Sequence, residues 1–419
     1  MEQRDDDRRS KTKIRNDVMD FKKDFPIFKN NNEKYPLIYF DNASTTQKPQ
    51  CVIDSISHFY THYNANVHRG NYKIAEKATL EFENSRETIA NFINAKKDEI
   101  IFTTGTTESI NLIAYSFASF LEDEDEIIIS EMEHHSNILP WQMIKEKKNI
   151  KIRYINVNED GQLDLSQLET LINKKTKLCS IISMSNILGT INDLNKISKL
   201  TNKYNIPLLV DAAQSIAHEK IDVEKINCDF LVFSGHKIMG PTGVGVLYIH
   251  KKFLNKLPPF LRGGNMNKEV GYETSTWNET PWKFEAGTSN IAQVIGLKSS
   301  INYVKRIGLD KIEIHNKKLT NYLIKNLKDI KDINIYGHKD KNFGPIVSFN
   351  IEGCHPYDIS KLLGEYNICI RAGHHCGQIL MKKLNTNFTN RISLQYYNSF
   401  QEIDFFIESL KKVVKILKN

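Results

Sequence analysis

The sequence predicts an α/β protein, with a large domain built on a mostly parallel central sheet flanked by helices and a smaller α+β domain after it. Three observations support this fold class. Between about residues 99 and 250, apolar runs of strand length alternate with helical patterns, and polar residues gather just after the apolar runs. From residue 292 a long helical tract leads to three more strand-like runs and a final amphipathic helix. Because parallel strands end along one edge of a sheet, we expect a ligand site at that edge.

Length and composition exclude several classes of protein. A chain of 419 residues with 40% hydrophobic and 26% charged residues is typical of a globular protein of two or three domains, or of one large domain carrying a smaller one. No apolar run reaches the length that spans a bilayer. The six cysteines are irregularly spaced, with no CxxC pair, which favours a reducing compartment over a disulfide framework or a zinc ribbon. The net charge is +7, but the basic residues are spread through the sequence among acidic ones, so the charge does not by itself indicate nucleic-acid binding.

The domain prediction divides the chain into three parts. Residues 1–38 form an N-terminal tail and a segment packed on the body, residues 39–300 the large domain, and residues 301–419 the small domain. The first 16 residues are highly charged and lack the apolar core of a secretory signal. We expect a cytoplasmic protein, or one of a plastid-type organelle if a leader was removed.

The strand and helix predictions follow the apolar periodicity along the chain. Strands are predicted at residues 37–40, 99–103, 126–130, 152–157, 178–184, 208–211, 231–234, 246–249, 333–336, 346–351 and 368–371. Helices are predicted at residues 52–63, 74–92, 105–119 and 163–171. Residues 259–290 are expected to be irregular, with Trp277 and Trp282 as core anchors. The last helix should bury the apolar residues that recur at helical spacing, namely Ile403, Phe406, Leu410, Val413 and Leu417.

Lys237 is the first candidate for chemistry. The apolar run at 231–234 leads through Gly235 and His236 to this lysine, and a Gly/Pro turn follows it. Apolar surroundings disfavour the ammonium form, lower the pKa of a lysine and free its amine to react with an aldehyde. An isolated lysine just past a strand is more often an ordinary surface residue. The functional interpretation therefore depends on other residues at the same sheet edge.

Those residues match the needs of pyridoxal phosphate (PLP). Asp211 closes the strand at 208–211 and supplies an anion for the pyridine nitrogen of the cofactor. The helix that opens with Gly105 and Thr106 offers free backbone N–H groups to a phosphate. Further donors at neighbouring strand ends are Gln214, Ser234 and His236. No GxGxxG follows any strand, which argues against a dinucleotide-binding oxidoreductase.

His134 and His135 leave two interpretations open. His134 is either a packed loop residue or a flat ring stacked on a flat cofactor. Adjacent histidines face different directions, and no further Cys or His lies nearby at ligand-like spacing, so no metal site is predicted.

Six motifs in order resemble those of the PLP-dependent cysteine desulfurases of the SufS type (group II). They are Gly105-Thr106-Thr107-Glu108, Glu133-His134-His135-Ser136-Asn137, Asp211-Ala212-Ala213-Gln214, Ser234-Gly235-His236-Lys237, Phe284-Glu285-Ala286-Gly287-Thr288 and Arg371-Ala372-Gly373-His374-His375-Cys376. The resemblance runs from about residue 20 to the C-terminus. It implies the fold of the PLP-dependent transferases of fold type I.

The resemblance also implies roles for individual residues. Lys237 would hold the cofactor as a Schiff base, Asp211 and Gln214 would contact its ring nitrogen and phenolic oxygen, and His134 would stack on the ring. The phosphate would be held by Thr106, Ser234 and His236, together with Thr288 from the neighbouring subunit of a homodimer. The substrate carboxylate would be bound by Asn186 and Arg391, with Arg371 near the loop of the nucleophile.

Cys376 separates this reaction from other chemistry on the same fold. A lone cysteine is usually a small core residue or an idle surface thiol, but His374, His375 and Arg371 are neighbours that favour a thiolate. The resemblance implies that Lys237 removes the α-proton of the bound substrate L-cysteine and that the Cys376 thiolate then attacks its sulfur. Alanine leaves, and a persulfide remains on Cys376.

The loop around Cys376 also bears on the partner. Only four residues separate Arg371 from Cys376, which favours the desulfurase group that passes sulfur to a small acceptor of SufE or SufU type for iron-sulfur cluster assembly. Where that family often has a small residue, Gln and Pro after the nucleophile, this chain has Gly377, Gln378 and Ile379. The alternatives are a selenocysteine lyase or another fold type I PLP enzyme and, more remotely, a basic nucleic-acid-binding protein.

Overall fold

A computed structural model describes residues 21–29, 33–337 and 342–419. It contains fifteen strands in these ranges: β1 (Ile38–Tyr39), β2 (Ile100–Thr103), β3 (Glu126–Ser130), β4 (Lys151–Ile155), β5 (Thr176–Ile182), β6 (Leu208–Asp211), β7 (Phe230–Ser234), β8 (Gly245–Ile249), β9 (Asn267–Val270), β10 (Ser275–Trp277), β11 (Ile333–Tyr336), β12 (Ile346–Ile351), β13 (Ile368–Cys369), β14 (Arg371–Gly373) and β15 (Thr389–Ser393).

The α-helices of the same residues are α1 (Gln50–His62), α2 (Lys73–Phe92), α3 (Thr106–Phe117), α4 (Leu139–Lys147), α5 (Leu165–Leu171), α6 (Leu194–Lys203), α7 (Val223–Ile226), α8 (Lys251–Leu254), α9 (Ile291–Ile307), α10 (Leu309–Leu327), α11 (Pro356–Gly364), α12 (Gln378–Lys383) and α13 (Phe400–Lys418). The long helical tract predicted from residue 292 is thus two helices. They meet at Gly308, whose φ of +93° is a conformation that favours glycine.

A seven-stranded sheet forms the centre of the large domain. Its strand order is β2-β8-β7-β6-β5-β3-β4, and all neighbouring pairs are parallel except the two that involve β8. The strands β3 and β7 are buried along their whole length, as expected when helices cover both faces of a sheet. The mostly parallel sheet predicted from the sequence is confirmed.

The apolar residues of the central strand β7 alternate between two cores. In β7, Leu231 and Phe233 belong to the core that α2 and α9 cover. Phe230 and Val232 point to the opposite face, where they pack with residues of α3 and α4, including the fully buried Trp141. This two-sided burial holds the carboxyl ends of the strands in fixed positions, which matters for the site built on them.

A second sheet, in the order β11-β12-β15-β14, is antiparallel throughout. Residues of α10, α11 and α13 cover it, and Ile403, Phe406, Leu410 and Val413 are buried as predicted, while Leu417 is only half-buried. β1 pairs in parallel with β13, which places Ile38 and Phe40 in this same core. The domain boundaries at residues 38/39 and 300/301 stay a prediction; α9 runs without a break across residue 300.

Two sequence predictions are wrong in detail. The strand predicted at 368–371 is two strands, because β13 bonds to β1 while β14 bonds to β15, and the chain passes from one sheet to the other at Ile370. The region 259–290 contains the hairpin of β9 and β10, and its tryptophans are half-buried. Trp282 lies edge-on to His68, and Trp277 lies under the guanidinium of Arg262.

The helices have no membrane-spanning candidate among them. Within residues 21–29, 33–337 and 342–419, none is both long enough and apolar enough to cross a bilayer.

Candidate active site

A cavity of about 350 Å³ lies where the central strands end. Every predicted site residue except one lines it: Thr106, His134, Asn186, Asp211, Gln214, Ser234, His236, Lys237, Arg371, Cys376 and Arg391. The exception is Thr288, which is exposed and lies outside the cavity. Its assigned role depends on a neighbouring subunit and stays a prediction.

Lys237 lies in the cavity on a 3₁₀ turn, Gly235–Lys237, that follows β7 directly. Desolvation lowers the pKa of its ammonium to about 8, although the nearby Asp211 carboxylate opposes the shift. About a tenth of the amine is therefore uncharged at pH 7, far more than for an ordinary lysine, and this is the form that reacts with an aldehyde.

Thr46 fixes the backbone on both sides of Lys237. Its hydroxyl donates to the carbonyl of His236 at 2.9 Å and accepts the N–H of Met239 at 2.8 Å. The N–H of Thr46 also donates to the His236 carbonyl, at 3.0 Å. Thr46 was not among the site residues predicted from the sequence.

Asp211 ends β6 beside Lys237. Its carboxylate is buried and accepts the N–H of Ala213 at 2.9 Å. Burial raises its pKa above the ordinary range, while the N–H of Ala213 and the charge of Lys237 oppose the rise. A buried carboxylate at this position suits a protonated ring nitrogen, since a positive partner recovers the energy lost on burial. Gln214, next on this loop, donates its side-chain amide to the carbonyl of Ala43 at 2.9 Å.

A cluster of hydroxyls lies at the N-terminus of α3. The N–H of Thr106 donates to Ser234 Oγ at 2.9 Å, and the two hydroxyl oxygens lie 2.8 Å apart. Gly105, just before α3, lies close against β8, since a Cβ on Gly245 would lie 2.4 Å from the backbone of Gly105. Hydroxyls and free N–H groups at the positive end of a helix form a donor set that fits a phosphate. With Lys237 and Asp211 in the same cavity, the residues fit PLP.

His134 presents its ring to the cavity and is held as a neutral imidazole. Burial and the charge of Lys237 lower its pKa to about 3. Its Nδ1 lies 3.1 Å from the N–H of Ser136 and accepts it. Beneath it, the buried Glu133 accepts hydrogen bonds from Asn137 Nδ2 at 2.7 Å and from the N–H of Ile182 at 3.1 Å. Glu133 therefore holds the loop of His134 against β5, a role that the sequence reasoning missed.

Arg371 and Arg391 form the positive side of the cavity. They stand opposite each other on β14 and β15, so their side chains leave the sheet on the same face. Asp41 pairs with both, at 2.9 Å to Arg371 and 3.1 Å to Arg391. Asp41, two residues after β1, was not among the site residues predicted from the sequence.

Arg391 is almost fully buried, yet not all of its side-chain nitrogens are bonded to protein atoms. It donates to the carbonyl of Asn186 at 2.9 Å and to Ser44 Oγ at 2.8 Å. Among the described residues, Arg391 Nε and Asn186 Oδ1 have no hydrogen-bond partner. The unpaired Arg391 Nε is a buried, charged donor, which fits a small carboxylate; the unpaired Asn186 Oδ1 is an acceptor and does not contribute to such a site.

Cys376 is exposed and lies in the short loop between β14 and α12. His375 and Cys376 both have positive φ, +52° and +55°, in the left-handed region that residues with a side chain adopt rarely. The side-chain amide of Asn186 donates to the carbonyl of His375 at 2.7 Å. This loop brings the thiol and Lys237 to one cavity, although they are distant in sequence.

The fold and this cavity define a PLP-dependent enzyme of fold type I. Residues 38–406 match the family model described as aminotransferase class-V. A cysteine desulfurase from Wigglesworthia glossinidia brevipalpis is 46% identical over 96% of this chain and 98% of its own length. The chain belongs to the class-V aminotransferase family and, within it, to the cysteine desulfurases.

Solved structures agree with this assignment. The structure of a cysteine desulfurase from Thermococcus onnurineus NA1 superposes with a TM-score of 0.91, at 39% identity, over 94% of this chain and 98% of that one. The cysteine desulfurase CsdA from Escherichia coli, solved as an S-sulfonic acid, superposes with a TM-score of 0.89, at 32% identity, over 95% and 98% of the two chains.

Proposed function

We propose that this enzyme takes sulfur from L-cysteine, giving L-alanine and a persulfide on Cys376, and then passes that sulfur to a small acceptor protein. The observation that carries the proposal is the shared cavity of Lys237, Arg391 and Cys376. It joins an amine of lowered pKa, a buried cation for the substrate carboxylate and an exposed thiol.

The residues divide the work of the reaction. Bound PLP supplies an electron sink for a carbanion at the substrate Cα. Asn186 and Arg391 bind the substrate carboxylate, and the Lys237 amine moves the proton at Cα. The thiolate of Cys376 forms an S–S bond to the substrate sulfur as the Cβ–S bond breaks. The electron pair of that bond stays on the carbon and takes up a proton, so cysteine becomes alanine and the enzyme thiol becomes a persulfide.

The residues proposed to hold PLP are those predicted from the sequence. Lys237 would bind the aldehyde carbon, Asp211 and Gln214 would face the ring polar atoms, and His134 would cover the ring face. Thr106, Ser234 and His236 would hold the phosphate. Thr288 would complete the phosphate site from the neighbouring subunit of a homodimer, which its exposed position outside the cavity supports.

The short loop supports a SufS-type enzyme that serves a SufE- or SufU-type acceptor in iron-sulfur cluster assembly. Only residues 374–377 separate β14 from α12, so the thiol cannot reach far from the cavity. The glycine at residue 377 lets this loop lie close against Ile187, since a Cβ there would lie 2.5 Å from Ile187 Cδ1. An acceptor must therefore bring its own thiol to Cys376. All six cysteines are free, which supports a reducing compartment such as the cytoplasm, or a plastid-type organelle if a leader was removed.

Replacement of Cys376 tests the proposal. Cys376→Ala should retain the yellow absorption of bound PLP and lose alanine formation from L-cysteine, since the sulfur has no nucleophile. Cys51→Ala serves as the control, because Cys51 is also an exposed thiol but lies outside the cavity. Unchanged cysteine turnover in Cys376→Ala would reject the proposal. Loss with cysteine but full turnover with L-selenocysteine would make the enzyme a selenocysteine lyase as well.

The acceptor and the subunit arrangement need separate measurements. Persulfide transfer from Cys376 to purified SufE- and SufU-type acceptors, followed by mass spectrometry, tests the partner. Sedimentation of the holoenzyme tests the homodimer. In a homodimer, Thr288→Val should weaken PLP binding, whereas in a monomer the exposed hydroxyl should be dispensable.

A further inference from the structure

His135 ties the loop of Cys376 to the loop of His134. The N–H of His135 donates to the carbonyl of Cys376 at 2.8 Å. The N–H of Gln378 donates to His135 Nε2 at 3.2 Å. One residue thus bonds to the chain on both sides of Gly377, immediately after the nucleophile.

The segment before Gly377 needs such support. His375 and Cys376 are consecutive residues in the left-handed region, a conformation that persists only where its surroundings fix it. Asn186 holds the His375 carbonyl, and the N–H of Cys376 donates to His374 Nδ1 at 3.1 Å. The side chain of His135 supports the other end of this loop, because it accepts the N–H of Gln378 at the start of α12.

We infer that His135 is a positioning residue for the nucleophile: its neutral ring, accepting at Nε2, fixes residues 376–378 so that the Cys376 thiol faces the bound substrate. This inference rests on the proposed function, because it assumes that Cys376 is the nucleophile. The two adjacent histidines then have different tasks. His134 faces the cofactor cavity, and His135 holds the nucleophile loop.

The surroundings of His135 favour the neutral ring that this role requires. Burial and the neighbouring His374 lower its pKa, and the two rings lie 5.7 Å apart at an angle of 33°. Because Nε2 accepts the N–H of Gln378, the proton of the neutral ring belongs on Nδ1. Protonation at Nε2 would replace this hydrogen bond by a contact between two donors.

Two substitutions separate the acceptor from the shape of the ring. His135→Phe keeps a flat ring and removes the acceptor, whereas His135→Gln offers a carbonyl oxygen near the position of Nε2. In the holoenzyme, the Gln378 amide should exchange hydrogen about five-fold faster in His135→Phe, the factor that one net hydrogen bond supplies. The kcat for alanine formation should fall by about the same factor, with KM little changed. His135→Gln should restore both values.

A matched control is available at the far end of β8. His250 Nδ1 likewise accepts a backbone N–H, that of Lys252, at 3.2 Å, and lies outside the cavity. His250→Phe should leave the Gln378 amide and kcat unchanged. The inference fails if His135→Phe exchanges and turns over like the parent, or if His135→Gln is as impaired as His135→Phe. Failure of the proposed function is distinguishable, because Cys376→Ala would then keep its cysteine turnover whatever residue 135 is.

Discussion

Thr46→Val is the sharpest test of how the turn of Lys237 is held. Valine has the shape of threonine, and Thr46 is only 2% exposed, so the substitution removes the hydroxyl without opening a cavity. The His236 carbonyl keeps the N–H of Thr46, but the buried N–H of Met239 loses its acceptor. One lost hydrogen bond and one unsatisfied buried N–H together destabilise the fold by about 2–4 kcal/mol.

Urea titration of the holoenzyme measures this effect with two signals. The yellow PLP absorption reports the turn of Lys237, and far-ultraviolet circular dichroism reports the whole fold. In Thr46→Val the absorption should be lost at lower urea than in the parent, whereas Thr46→Ser should restore the parent curve. If Thr46→Val matches the parent in both signals, the hydroxyl does not hold the turn. If Thr46→Ser is as unstable as Thr46→Val, the effect comes from packing of the methyl group.

Three further predictions concern other parts of the molecule. Arg86 and Glu285 form a buried ion pair at 2.6 Å. In urea titration, Glu285→Gln should lower the free energy of unfolding by about 3–5 kcal/mol, because it removes one charge of a buried pair. The double change Arg86→Met with Glu285→Leu should lower it less, because it removes both charges. Gly377→Ala should lower kcat because the new Cβ meets Ile187 Cδ1, and Ile187→Val, which removes that atom, should restore it; no rescue would mean that the clash is not the cause. The pKa of Lys237 is lowered to about 8, so the rate of PLP uptake by apoenzyme should reach half of its maximum near pH 8 and level off about one pH unit higher; a rise that continues to pH 10 would contradict this.

The strand-end residues were predictable because each follows a local pattern. Asp211 closes one apolar run and Lys237 comes one short turn after another, and parallel strands bring such ends together along one edge of a sheet. The pairing of Asp41 with Arg391 was not predictable, since it depends on β1 lying beside β13 and joins residues 350 positions apart. Sequence pattern also does not tell which partner strand an apolar run joins.

The tryptophans show a second limit. Trp277 and Trp282 were predicted to anchor the core, but Trp141 does so, and it is buried because α4 lies directly on the central sheet. Trp282 is half-buried and lies edge-on to His68. Whether a tryptophan is buried depends on where its helix lies relative to the sheet, and the composition of the sequence does not show that position.

The pairing of β1 with β13 has a consequence for synthesis of the protein. Ile38 meets Ile368, so 330 further residues must be made before the first strand finds its partner. At translation rates of about 5–20 residues per second this takes roughly 15–65 s. During that time Asp41 is not yet bonded to either arginine, since Arg371 and Arg391 emerge last. The strands of the central sheet and Lys237 are therefore synthesised before β13, Cys376 and Arg391, so the cavity cannot be complete until those later residues have been made.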